Sequence, residues 1–310
     1  MDLSSINPTL LIAALMVAST PILLAAIGEL IVEKSGTLNL GVEGMMITGA
    51  ICGFAVTLNS GSPTLGFIAA AAGGAVLSLI FAVLVLYFLS NQVATGLALT
   101  LFGLGLAALI GRDYQESVRL PSTPKLDLGP ISDIPVLGPI LFSHDAMVYL
   151  SLLLVVAVWA FLKFTRAGLI LRSVGENAEA AHALGYKVKL IRLAAIAFGG
   201  ACAGLGGAYI SMVRVPQWVD GITAGAGWIA LAIVVFGAWR PGRVLLGAYL
   251  FGGVTVLQLN LQAAGIKIPV EYLSMSPYII TILVLVTISA GRSGALGAPA
   301  ALGQTFHASR

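Results

Sequence analysis

Few side chains in this sequence are equipped for chemistry, and several of those interrupt apolar runs. Glu29 and Glu33 border the turn E-K-S-G-T-L-N-L-G-V-E-G, and Glu43 lies further in, at the start of the second apolar run. An ionisable group inside a membrane span is costly and rare, and of the three Glu43 is the only plausible one for a proton-coupled carrier. Two readings of Glu43 stand side by side: its charge complements a helix N-terminus, or it lines a path. Asn39 shares the segment Gly36–Gly44 with Glu43, and Asn91, Gln92 and Thr95 crowd into Ser90–Gly96. Amides both donate and accept hydrogen bonds, which suits a neutral solute rich in hydroxyls or bases. Asn39, Glu43, Asn91, Gln92 and Thr95 are therefore the candidate path residues. Such segments mark broken helices whose freed backbone lines a cavity, or simply helix ends at a short turn. Position favours the second reading for 90–96.

One polar stretch, R-S-V-G-E-N-A-E-A-A-H-A-L-G-Y-K-V-K from Arg172 to Lys189, breaks the apolar sequence outright. Six of the sixteen Lys and Arg residues (Lys163, Arg166, Arg172, Lys187, Lys189 and Arg192) lie in or beside it, so it should face the cytoplasm. Ser173 and Glu176 have capping-box spacing, and Asn177 is a second candidate N-cap. Gly185 falls where a helix ends in the left-handed conformation. Ala178, Ala181 and Leu184 repeat at helical spacing and make a narrow face of small residues. The stretch reads either as a helix offered to a groove on a soluble partner or as a solvated helix between two spans.

Missing motifs narrow the field. No phosphate-binding G-x-x-x-x-G-K-[ST] loop occurs, so the chain does not hydrolyse ATP by that route. The histidines, His144, His182 and His307, all fall outside the apolar runs, and no His/Cys cluster or G-x-S-x-G elbow is present. Cys52 and Cys202 sit in apolar runs and read as small core residues, with no disulfide or metal site implied. No catalytic residue is assigned, and an enzyme is the remote reading.

The elements that must position these residues are membrane helices. The chain of 310 residues is 58% hydrophobic and 9% charged, with a mean hydropathy of +1.01. A soluble domain would carry about a quarter charged residues. A net charge of +3 is too small and dispersed to argue for nucleic acid. Nine candidate spans lie near 9–29, 39–58, 63–89, 91–111, 146–165, 191–213, 222–239, 243–262 and 273–290. The third is long enough to break at Gly73-Gly74, and the seventh short enough to be re-entrant. The fold class is thus an all-α integral membrane bundle of about eight to ten helices, some discontinuous. The whole chain reads as one transmembrane domain, with a cytoplasmic loop over 166–192 and an extracytoplasmic loop over 112–145. Eleven Lys and Arg fall on one side and five on the other, placing the N-terminus outside and the C-terminus in the cytoplasm. The first span has no basic segment before it and is expected to be retained. The 112–145 loop is acidic and proline-rich, suiting either a docking site or a solvated lid. Trp218, in the second outer loop, reads as a membrane-belt anchor. Gly199-Gly200, Gly204 and Gly206-Gly207 contain spacing that lets two helices approach closely.

Four segments together carry a resemblance. A-I-G-E-L-I-V-E-K-S-G-T-L-N-L-G-V-E-G-M-M-I-T-G-A (26–50), N-Q-V-A-T-G (91–96), G-E-N-A-E-A-A-H-A-L-G (175–185) and G-W-I-A-L-A-I-V-V-F-G-A-W-R-P (227–241) resemble the nucleoside and simple-sugar branch of ATP-binding cassette (ABC) importer permeases. The resemblance spans roughly 20–290 and implies a multi-pass subunit of a bacterial plasma membrane. It implies a separate ABC ATPase carrying ATP and Mg, a second homologous permease, and an extracytoplasmic solute-binding protein or lipoprotein; no cofactor is bound by this chain. By the match to a coupling helix, it makes Glu176, Asn177, Ala180, Ala181 and Gly185 the ATPase-coupling positions. Asn177 departs from the family pattern, and Glu179-Ala180-Ala181 offers a second register. The cargo implied is a purine or pyrimidine nucleoside; a ribose- or galactose-type sugar and an ATP-independent secondary transporter are the alternatives.

Overall fold

The structure is a computed structural model, and it describes residues 8–115, 119–121, 123–126, 129, 134–135, 138–263, 297–307 and scattered positions between 272 and 286. Among the described residues α-helices follow in order: α1 (Pro8–Lys34), α2 (Val42–Ser60), α3 (Pro63–Leu86), α4 (Gln92–Gly111), α5 (Ala146–Phe164), α6 (Arg166–Glu176), α7 (Ala178–Ala183), α8 (Val188–Tyr209), α9 (Ala226–Phe236) and α10 (Pro241–Ala263). No strand occurs among the described residues. Among the described residues seven helices are long and apolar enough to cross a bilayer, and α9 is a shorter apolar helix. The ninth expected span, 273–290, lies largely outside the described residues.

The expected spans match these helices, with three differences. α1 runs on to Lys34, so Glu29 and Glu33 stand one turn apart inside a helix and the turn begins only at Ser35. α3 is unbroken through Gly73-Gly74. Helical hydrogen bonds continue there because the missing side chains serve contact, letting α8 lie against the α3 backbone. The seventh span is a half-helix of 11 residues, preceded by irregular chain.

α8 is the axis of the bundle and packs against α1, α2 and α3. Its glycines make that possible. A side chain at Gly204 would run into the backbone of Ala70 in α3, and one at Gly49 of α2 into the backbone of Gly204. Close backbone approach of this kind supplies dispersion contact where no hydrophobic effect drives helices together. Around the axis, Leu23, Ile27, Leu30, Met45, Met46, Phe81 and Ile196 form a fully buried core.

The two ends of the bundle are distinct. At one end Lys34 donates to the Gly297 carbonyl at 2.9 Å and feels the charges of Glu176, Arg172 and Arg240; we call this the basic end. At the other, Leu10 of α1, Lys125, His144, Arg214 and Leu259 line one cavity of about 560 Å³. Leu126 and Leu120 bond the loop down, to the carbonyls of His144 and Pro216. Parts of that loop, including Glu116, Asp127 and Asp133, lie outside the described residues. Residues 297–307 return to the basic end, opposite the start of α1.

Candidate functional site

Beyond Arg214, where a π-helical segment continues α8, the chain enters the bundle without regular structure. Residues 215–225 run inward from the loop end, and Trp218 goes with them. It is 1% exposed, stacked over Gly111 and beside Phe54. Trp218 is therefore a core residue and no membrane-belt anchor, because the segment that carries it dives between α2 and α4. Irregular backbone at membrane depth survives only where protein or a cavity surrounds it. Here protein does. Gly221, Ala224 and Gly225 take left-handed φ of 68°, 46° and 84°, and α9 starts from Gly225.

Glu43 holds that start. Its Oε1 accepts from the Thr223 hydroxyl at 2.5 Å and the Gly225 N–H at 2.9 Å, and its Oε2 from the Gly227 N–H at 2.6 Å. The carboxylate is 4% exposed. A helix N-terminus presents unpaired N–H groups and a partial positive charge, and Glu43 answers both. The helix N-terminus that Glu43 complements is that of α9, nearly two hundred residues away.

Towards the basic end a layer of buried polar groups closes the bundle. Asn39 Nδ2 donates to Glu29 Oε2 at 3.2 Å while its Oδ1 accepts from Gly41 N, so Asn39 shapes the 35–41 turn that folds back beside α1. The Trp239 indole donates to Glu33 Oε2. Arg192, 1% exposed, donates through Nε to the Ser35 carbonyl at 3.1 Å and through Nη1 to the Gln304 carbonyl at 3.2 Å. Glu29 Oε1, Glu33 Oε1 and Arg192 Nη2 have no partner among the described residues.

The other path candidates organise a helix start. Asn91 caps α4 by accepting from Ala94 N at 3.0 Å, and Thr95 Oγ1 pairs with Ser90 Oγ at 2.8 Å. Gln92 is buried; its Oε1 accepts from Leu38 N at 2.7 Å and its Nε2 donates to the Gln304 carbonyl at 3.3 Å. Asn39 and Gln92 thus belong to the buried polar layer at the basic end and Asn91 and Thr95 stand at its edge, while Glu43 bonds separately to Thr223, Gly225 and Gly227.

The polar stretch folds as two helices. Ser173 lies inside α6, where its hydroxyl donates to the Leu169 carbonyl, so no capping box forms with Glu176. Asn177 is the cap: it ends α6 and starts α7, its Oδ1 accepting from Ala180 N at 2.8 Å. Gly185 ends the element with φ of 87°. The expected small-residue face is divided. Ala178 and Ala181 turn inward with Val174, Val188 and Phe306, whereas Leu184 is 77% exposed. Glu176, Asn177, Glu179, Ala180 and Gly185 are exposed as well. Glu176 Oε2 accepts from Ala300 N at 3.3 Å.

Sequence reasoning missed Thr223, Arg192, Trp239, Gln304 and Phe306 as parts of this arrangement. Arg192 alone carried a legible signal, a basic residue one turn inside an apolar helix.

The chain's relatives agree with this architecture. A family model described as branched-chain amino acid transport system / permease component matches residues 11–285. A putative glucose ABC transporter permease protein of Haloferax volcanii is 40% identical over 96% of this chain and 97% of its own. A guanosine ABC transporter permease protein of Bacillus subtilis is 34% identical over 96% of both chains. A nucleoside ABC transporter permease protein of Lactococcus lactis is 32% identical over 89% of this chain and 91% of its own. No solved structure matches.

Proposed function

From a chain that belongs to the branched-chain amino acid transport system / permease component family, and so is a multi-pass ABC permease of the nucleoside and sugar branch and not an enzyme, we infer a nucleoside importer subunit. The observation that carries this reading is the Glu43 contact. Half-helix N-termini at membrane depth serve transporters as sites for anionic solute groups. In this chain the N-terminus of α9 is filled by the chain's own carboxylate, leaving no N–H at Gly225 or Gly227 for a solute anion. A path built this way suits a neutral solute over an amino acid or a phosphorylated one. The guanosine and nucleoside relatives support nucleosides among neutral solutes. The 40% identical relative named for glucose favours a sugar as the second reading.

The polar layer, Asn39 and Gln92 with it, lies beside the path, which runs between this chain and a second permease. ATP is bound and hydrolysed, with Mg, on a separate ATPase that docks on α7; the coupling positions are Glu176, Asn177, Ala180 and Gly185, with Ala181 supporting them from inside. The basic end faces the cytoplasm, by the distribution of Lys and Arg. A solute-binding protein delivers cargo at the opposite end, where the 112–145 loop lies. ATP binding and hydrolysis then alternate access of the path to the two sides.

The test is uptake by the reconstituted complex in proteoliposomes. Radiolabelled guanosine or uridine should accumulate only with ATP inside the ATPase-facing compartment, and excess glucose or ribose should not compete. Uptake of glucose with indifference to nucleosides would reverse the order of the two readings.

A further inference from the structure

The C-terminal segment lies folded beneath α7. Phe306, 7% exposed, fills the space between Val174, Ala178, Ala181 and Val188 and meets the His182 ring edge-on, with centroids 5.4 Å apart. α7 has only six residues, too few to hold a helix without packing. Its covalent link to α8, residues 184–187, is exposed throughout, so that link is a poor lever.

The tail bypasses it. Ala301 N donates to the Gly175 carbonyl at 2.9 Å, and Gly303 N to the Gly36 carbonyl at 3.2 Å. The Gln304 carbonyl receives both Arg192 of α8 and Gln92 of α4, and Gln92 in turn accepts from Leu38 N. One short segment therefore touches α7, α8, the start of α4 and the 35–41 turn. That turn leads directly into Glu43, which holds the start of the half-helix α9.

We propose that residues 300–306 are the strut that carries motion of α7 into the membrane, with Phe306 bearing on α7 and the Gln304 carbonyl on Gln92 and Arg192. Phe306 and Gln92 are positioning residues: they act through α7 and the 35–41 turn. The strut rests on the docking role of α7 proposed above. A displacement of α7 by the ATPase presses on Phe306, shifts the tail, and moves the 35–41 turn relative to α8. Two arrangements of one contiguous packed segment are what such coupling requires.

The whole complex in proteoliposomes tests this with Phe306→Ala, Phe306→Leu and Gln92→Leu. Three quantities are read: ATPase subunit retained on purification, ATP hydrolysis, and solute moved per ATP. Phe306→Ala and Gln92→Leu should retain the ATPase and most of its hydrolysis, while solute moved per ATP falls about tenfold, within the usual span of coupling between sites. Phe306→Leu, which refills the space under α7, should restore the ratio. An unchanged ratio overturns the strut, whether both rates stay normal or both fall together with ATPase retention. Uptake by the unaltered chain without any ATPase overturns the docking role itself, and the strut with it.

Discussion

Glu43 accepts three hydrogen bonds from residues 180 to 184 positions away, and both of its oxygens are used. Glutamine in its place keeps one acceptor oxygen and turns an NH₂ donor towards a backbone N–H that also donates. At least one buried N–H is then orphaned. Glu43→Gln should cost about 2–4 kcal/mol, the range for breaking a buried charge-assisted contact. Its thermal unfolding midpoint in detergent should drop accordingly; an unmoved midpoint would mean that the carboxylate is not what holds α9. The sequence alone made Glu43 conspicuous without showing its partner, because a contact across this distance leaves no periodic trace. Trp218 illustrates the same limit. Its type fitted a membrane belt, and only the path of 215–225 puts it in the core. Asn177 was legible because capping is local, although Ser173 offered an equally good pattern and turned out to lie mid-helix.

The helices themselves were largely readable from apolar run length, since about 20 residues must cross the hydrocarbon. What failed was the reading of glycine. A glycine pair inside an apolar run predicts a break as readily as a close crossing, and the difference depends on which helix lies alongside. Gly74 and Gly204 face one another across α3 and α8, so the glycines mark contact. Gly204→Leu should force the axis helix off α3 and α2, and the variant should be lost from the membrane fraction or run as aggregate on size exclusion. Gly105 in α4 has open space around it, so Gly105→Ala should be neutral or stabilising by up to about 1 kcal/mol through lower unfolded-state entropy. Equal yields of the two variants would show that the α8 crossing does not depend on glycine. The half-helix α9 was anticipated as a short span. Its irregular lead-in could not be, because 215–225 carries no mark of burial except Trp218.

At the scale of the whole molecule, the two ends separate charge, and the tail 297–307 packs at the basic end with α6 and α7. If that end is cytoplasmic, a single cysteine at Leu184, with Cys52 and Cys202 replaced by alanine, should react with a membrane-impermeant maleimide only in inside-out vesicles. A cysteine at Lys125 should react in intact cells. The reverse pattern would invert the assignment of both termini. Basic-residue counting supplies an expectation of sidedness from composition, while the return of the tail onto α7 was invisible to it. Contact across such a span also bears on biosynthesis. At about 5–20 residues per second, roughly 180 residues of further synthesis leave Glu43 some 10–40 s without Thr223, Gly225 and Gly227. An 11-residue helix is also too short to be recognised as a span unaided. The nascent chain thus carries Glu43 without its partners through most of its own making, and arrival of α9 is the step that supplies them.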